Sequence, residues 1–184
     1  MNLYFRVIYL LIASFFRPRI SGIFDVSRIR MRVWPNDLDF NWHMNNGRYL
    51  TLMDLGRFDL ILRNGLMKLM LKQKSVPILA AAKIRYRLPL APLQKFDLET
   101  RVIAWDAKWV FIEQRFIIVD GPKKDAIAAI ALLKASFYDK KNKTSVPTAI
   151  LLEALNYTGA SPDLPPHIVK WQDAEESLRE LTKG

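Results

Sequence analysis

GRYLTLMDLGRFDLILRNGLMKLML, residues 47–71, is the stretch on which the fold turns. Leu52, Leu55, Ile61, Leu62, Leu66, Leu69 and Met70 recur at helical spacing and leave little polar surface on most faces. A helix this apolar has to be surrounded by other structure. Asn64-Gly65 reads as a break within it. On either side the period changes to two. Before the helix, Ile29, Met31 and Val33 alternate with Arg28, Arg30 and Arg32, which predicts a half-buried strand over Ser27–Trp34, ended by Pro35. After it, Ala80, Ala82, Ile84, Tyr86 and Leu88 alternate with Ala81, Lys83, Arg85 and Arg87. Phe96, Leu98, Thr100 and Val102 alternate with Asp97, Glu99 and Arg101. Trp109–Val119 and Ala126–Tyr138 complete the series, with Gly121-Pro122 in the turn between them. The order is strand, long buried helix, then four strands as a meander. That predicts an antiparallel sheet packed on the helix, class α+β.

Composition narrows the chemistry. A chain of 184 residues, 51% apolar, suits one domain with a sizeable core. The absence of cysteine removes disulfides, thiolate metal sites and a cysteine nucleophile, and fits a cytoplasmic setting. With only His43 and His167, a multi-histidine metal site is excluded, and no metal or redox cofactor is expected. The formal charge of +10 suits nucleic acid, an anionic membrane surface or an anionic small molecule such as a coenzyme phosphate. No zinc-finger spacing or RNP-type aromatic motif is present, so nucleic acid is set aside. Plain solubility charge is the alternative.

Three segments follow: 1–22, 23–155 and 156–184. In the first, Leu3–Phe16 is apolar apart from Arg6 and Ser14. As a helix it is roughly 21 Å long, short of the roughly 30 Å bilayer core. Arg6 interrupts the apolar run and no small-x-small site follows, so it is a poor signal peptide. Asn2, Arg6, Ala13 and Arg17 fall near one stripe. Two readings stand: a helix lying on a membrane surface, or one packed on its own domain or a partner subunit. In the tail, after prolines 162, 165 and 166, Asp173 and Glu176 suggest a capping box for a short last helix. Trp171, Ala174, Leu178 and Leu181 would share one face of it, and His167 reads as a surface residue of the proline loop.

The chemistry concentrates in NDLDFNWHMNNGRY, residues 36–49. Asp39, Asn41 and His43 stand at alternate positions, which extended chain would point to one side. They precede a helix whose N-terminus falls near Asn46-Gly47, with free N–H groups and the positive dipole end beside them. A carboxylate there can activate water or attack a carbonyl, the N–H groups can stabilise an oxyanion, and Gly47 allows close backbone approach. The residues alone equally describe an ordinary capped helix.

The string Asp37-Leu38-Asp39-Phe40-Asn41-Trp42-His43-Met44-Asn45-Asn46 resembles the D-L-D-x-N-x-H-x-N-N signature of hotdog-fold thioesterases. Plant acyl-carrier-protein thioesterases carry nearly this string; the 4-hydroxybenzoyl-CoA thioesterase-like and THEM6-like proteins carry looser versions. The resemblance covers roughly residues 25–155. It implies a hotdog domain, a sheet wrapped around a central helix, that hydrolyses acyl thioesters of coenzyme A or acyl-carrier protein. It implies Asp39 as base or nucleophile, with Asn41 and His43 positioning water or substrate. It implies a more structural Asp37 and a thioester carbonyl near Asn46 and Gly47. Asp54 falls close to where many members have a glutamate. The plant enzymes have a further acid after a tyrosine–arginine pair; here the stretch reads Tyr86-Arg87-Leu88-Pro89. With one hotdog unit, a homodimer or homotetramer would build the usual interface site. A non-catalytic acyl-binding protein at the membrane is the rival reading; a dehydratase on the same fold ranks below it. Lys83, Arg85 and Arg87 are either contacts for coenzyme phosphates or solvated edge charges, the second preferred.

Overall fold

A computed structural model describes residues 2–182 of the chain. Helix α1 (Asn2–Ser14) is followed by strand β1 (Ser27–Arg32) and a single 3-10 turn at Pro35–Asp37. Helix α2 (Asn46–Asn64) and helix α3 (Leu66–Gln73) are separated by Gly65 at φ 89°, a left-handed position that glycine adopts freely. Strands β2 (Ser75–Tyr86), β3 (Lys95–Trp105), β4 (Val110–Ile118), β5 (Ile127–Asp139) and β6 (Thr144–Val146) follow, then helices α4 (Thr148–Ala154) and α5 (Pro166–Leu181). The break at Asn64-Gly65 and the helix start at Asn46 fall where the sequence places them.

The sheet is wholly antiparallel and runs β1-β3-β4-β5-β2, with β6 on β5. This corrects the four-strand meander. Only β3, β4 and β5 form one. β2 pairs with β5 at the far end, because β3 already has β1 on one edge and β4 on the other. Residues 87–94 make that crossing without a tight hairpin: Leu90 is fully buried, and its carbonyl accepts from Met44 N–H at 2.9 Å. A register shift between Leu79 and Ala81 also breaks the simple alternation read along β2, leaving Ala82 exposed.

The concave face of the sheet takes α2. Leu52, Met53 and Leu55 are shut from solvent against Leu98, Phe116 and Leu133. Their side chains bring the largest gain in removing apolar area from water. Gly56 is what lets the helix lie so close. A Cβ there would come within 2.5 Å of Thr100 Oγ1 and 2.6 Å of Gln114 Nε2. The convex face is covered by α5, whose Ile168 and Trp171 pack on Ala104 and Phe111. That helix begins at Pro166, because proline suits the first helical position. Asp173 and Glu176 are therefore exposed mid-helix residues and not a capping box, and Leu178 and Leu181 point to solvent. His167 is at the surface, but in the first turn of α5.

Helix α1 packs on the domain through Leu3, Val7 and Leu10. Its arginine stripe faces inward. Arg6 donates to the buried Asp37 at 2.5 Å, and Arg17, just past the helix, donates to the buried Asp59 at 2.7 Å. The side chain of Asn2, read as part of the same stripe, lies outside the described residues, as do Met1 and the last two residues of segment 156–184. Asp59 also takes Ser27 Oγ at 2.6 Å and Arg63 at 3.1 Å. Of the two readings of this segment, packing on its own domain is therefore met by the inner face, while the outer face is apolar where a polar stripe would ordinarily meet water.

Candidate active site

The loop leading into α2 carries two aspartates with different surroundings. Asp37 ends the 3-10 turn with its side chain fully buried. Its Oδ2 accepts from Trp34 N–H (2.9 Å) and Arg6 (2.5 Å); its Oδ1 accepts from Arg48 Nε (3.0 Å) and Arg48 Nη2 (2.8 Å). Its carbonyl takes Asn45 N–H at 2.8 Å. Two cations and two backbone contacts make it the hub joining α1, the loop and α2. No oxygen of it is left for substrate chemistry.

Asp39 is half-buried and the chain doubles back around it. Leu38 and Met44 form an isolated antiparallel bridge, Asp39 N–H donates to the His43 carbonyl at 2.8 Å, and Trp42 sits at φ 59°. The expectation of an extended chain with Asp39, Asn41 and His43 on one side is thereby corrected: short polar residues fold this segment into a turn. Asp39 Oδ1 takes the backbone N–H groups of Asn41 (2.9 Å) and His43 (3.3 Å). Its Oδ2 accepts no hydrogen bond among the described residues. The side chains of Asn41 and His43 are exposed, and neither bonds to Asp39. What the turn brings to Asp39 is their backbone.

Helix α2 begins at Asn46, four residues after Trp42 has turned the chain. Asn45 is its N-cap, and its Oδ1 accepts from Gly47 N–H at 2.8 Å. The Gly47 N–H is thus engaged, and the free donor is that of Asn46, which makes no hydrogen bond among the described residues. A Cβ on Gly47 would meet only Asn45 Oδ1, at 3.2 Å, so no close approach within the chain demands glycine there. Tyr86, at the end of β2, donates its hydroxyl to the Asn46 carbonyl at 3.1 Å. Its ring meets Tyr49 edge-on at 5.0 Å. Burial raises the Tyr86 hydroxyl above its ordinary value and pushes that of Tyr49 up to about 12. Both are therefore protonated donors near the helix start at neutral pH. Tyr86 was legible only as one member of an alternating strand.

Asp54 is not at this end. Eight residues along a helix is about 12 Å, and there Asp54 pairs with Arg57. Both line an apolar cavity of about 400 Å³ between the second half of α2 and the sheet, walled by Phe58, Ile61, Trp105, Val110, Phe137 and Leu151. Arg57 Nη1 also donates to the buried Gln114 Oε1 at 3.1 Å, and desolvation lowers its pKa. Lys83 and Arg85 are exposed on the edge strand β2, and Arg87 is exposed just past its end.

The sequence and the fold have counterparts among known proteins. Residues 33–172 match the model of the Thioesterase-like superfamily. Protein THEM6 of Xenopus laevis is 33% identical over 139 residues, 76% of this chain and 63% of that protein. Protein THEM6 of Drosophila melanogaster is 28% identical over 185 residues, 99% of this chain and 91% of its own length. The frog and the Danio rerio relatives are matched over less than two thirds of their own length, 63% and 56%. Among solved structures, the YbaW probable thioesterase of Escherichia coli superposes with a TM-score of 0.64 at 21% identity, covering 70% of this chain and 96% of that one. A Staphylococcus aureus protein, SAV2348, determined in complex with CoA, superposes with a TM-score of 0.60 at 12% identity, covering 81% and 95%. These likenesses establish the hotdog architecture, an antiparallel sheet wrapped around a central helix. With the family model spanning most of its length, the chain belongs to the Thioesterase-like superfamily.

Proposed function

We propose that this protein hydrolyses acyl thioesters of coenzyme A or of acyl-carrier protein, with Asp39 as base or nucleophile. The observation that carries the reading is the pair formed by the unengaged Asp39 Oδ2 and the unengaged Asn46 N–H at the positive end of α2. In the base route, Asp39 takes a proton from water as the water oxygen bonds to the thioester carbon. The Asn46 N–H and the helix dipole stabilise the oxyanion. The intermediate then expels the thiolate, breaking the C–S bond, and the sulfur recovers the proton. In the nucleophile route, Asp39 bonds to the acyl carbon, releasing thiolate, and water cleaves the resulting anhydride. Asn41 and His43, exposed at the rim, are placed to meet the incoming carrier or water. The cavity bordered by Asp54 and Arg57 suits the acyl chain. Phe40 and Trp42 lie fully or largely exposed beside Asp39, and β2 leaves a sheet edge free; both favour a homodimer or homotetramer as the working form.

Asp39→Ala should abolish nearly all turnover across a panel of acyl-CoA and acyl-carrier-protein substrates while folding normally. Ordinary turnover in that folded variant ends the proposal, and the panel identifies the carrier. Single turnover in heavy-oxygen water labels Asp39 if an anhydride forms and water attacks the enzyme side.

A second reading, acyl binding without hydrolysis, draws on one observation. No second carboxylate stands at the helix N-terminus: Asp37 is consumed by arginines and Asp54 is paired farther along α2. Tight acyl-CoA binding with no thiol release would establish it.

A further inference from the structure

Helix α1 turns a strongly apolar face outward. Phe5, Ile8, Tyr9 and Ile12 are 53–68% exposed and stand at i, i+3, i+4, i+7, one helical stripe; Phe15 and Phe16 continue it at 85% and 84%. The helix cannot roll to hide them. Arg6 on its opposite side and Arg17 just past its end are anchored on two buried aspartates, Asp37 in the 3-10 turn before α2 and Asp59 in the second half of α2. Phe5 and Tyr9 also line a cleft shared with Trp34 on the β1 side. A contiguous apolar surface of this make-up, rich in aromatic rings with polar tips on Tyr9 and Trp34, fits an interface between water and hydrocarbon.

We propose that this face docks on the surface of an anionic lipid bilayer, with α1 lying in the plane of the headgroups. Charge decides the occupant. Arg32 and Lys95 border the same cleft, and Arg19 follows α1; none of the three side chains forms an ion pair among the described residues. Arg6, Arg30 and Asp120 complete the charged lining; Arg6 is paired with Asp37, Arg30 with Asp97, and Asp120 is held by the Lys95 backbone N–H at 3.2 Å. A chain of formal charge +10 with basic residues beside an apolar stripe is drawn to anionic headgroups. A second copy would bring those same cations against one another. Of the two edge strands, β1 takes Arg6 and Arg17 on its Arg32 and Arg28 carbonyls, and β2 stands at the other end of the strand order, so pairing through β2 leaves α1 uncovered. No helix among the described residues is long and apolar enough to cross a membrane, so the helix lies on the bilayer and does not span it. The proposal is independent of thioester hydrolysis.

Flotation of the full chain with vesicles tests it, using phosphatidylcholine alone and phosphatidylcholine mixed with phosphatidylserine. The native chain should rise with the mixed vesicles, less so at high salt, which screens the headgroup attraction. The double variant Ile8→Asp, Ile12→Asp should lose roughly tenfold or more of that binding. Its changes are at exposed positions, and urea unfolding verifies its fold. Arg19→Glu should weaken binding to the mixed vesicles while leaving the apolar face intact. The proposal is overturned if the native chain stays in the dense fraction with both vesicle types, or if the double variant floats equally well. It is also overturned if the double variant instead changes the molecular mass seen by light scattering, which would make the face a contact between copies.

Discussion

Asp37→Asn separates the two aspartates of the loop by stability. The side chain keeps its shape but loses its charge and one acceptor oxygen. In the native protein Asp37 is wholly shut from solvent and takes N–H groups from Trp34, Arg6 and twice from Arg48. An asparagine offers one oxygen, and its NH₂ must face a guanidinium donor. The local balance shifts from two cations with one anion to two cations alone. Breaking a buried ion pair by removing one partner costs about 3–5 kcal/mol. Arg6 and Arg48 keep 12% and 24% side-chain exposure, so water relieves part of this and the lower figure applies, about 3 kcal/mol. With an m-value of about 2 kcal/mol/M, the urea midpoint read by tryptophan fluorescence falls by about 1.5 M. Asp39→Asn is the control. Its Oδ1 still accepts from Asn41 and His43 N–H, so stability should change by less than about 0.5 kcal/mol. A midpoint shift under about 0.3 M for Asp37→Asn, or an equal shift for both variants, would refute the division of labour.

Two further outcomes are expected. Gly56→Ala improves intrinsic helix propensity by about 1 kcal/mol, but its Cβ would press on Thr100 Oγ1 and Gln114 Nε2, which are themselves hydrogen-bonded at 2.7 Å. Overpacking of about 1–3 kcal/mol plus a disturbed buried bond should give net destabilisation of about 2 kcal/mol in urea unfolding; a stabilised variant would mean the helix can slide off the sheet. Burial holds the Tyr49 hydroxyl up to about 12 from an ordinary 10. Because the folded value lies above the unfolded one, this contribution is complete below about pH 10 and fades as pH rises toward about 12, on the order of 2–3 kcal/mol. Tyr49→Phe should flatten that alkaline loss, as followed by urea midpoints across the range; an unchanged slope would locate the titration elsewhere.

The helix and strands were legible because their signals are local. Seven apolar residues at helical spacing demand cover wherever they occur, and alternation marks a strand without knowledge of its neighbour. Neighbour choice is a property of the whole sheet. Nothing within Ser75–Tyr86 says that its partner is β5, more than forty residues on, instead of β3. The site divides the same way. The helix start at Asn46 follows from Asn45 as cap, a local rule. The turn at Asp39 depends on a bridge between Leu38 and Met44 and on Trp42 adopting a left-handed backbone, which spacing at alternate positions does not reveal. Tyr86 reaches Asn46 only through the tertiary fold.

The hardest feature to read was α1, and the reason is general. A pattern of polar and apolar positions reports which residues prefer water, but a cation is equally content beside a buried carboxylate. Arg6 and Arg17 find such partners 31 and 42 residues away. Their stripe therefore faces the domain together with Leu3, Val7 and Leu10, and Phe5, Ile8, Tyr9 and Ile12, which the pattern would bury, are left outside. Asp37 precedes α2 and Asp59 lies within it, so the helix that follows the Asp39 turn and the helix that presents the apolar face are held by the same buried charges. Loss of Asp37 should consequently loosen α1 along with the loop. Asp37→Asn should weaken vesicle binding as well as lower the urea midpoint, whereas Asp39→Asn should do neither; an Asp37→Asn variant that unfolds more easily yet binds vesicles normally would show that α1 is anchored through Asp59 and its apolar contacts alone.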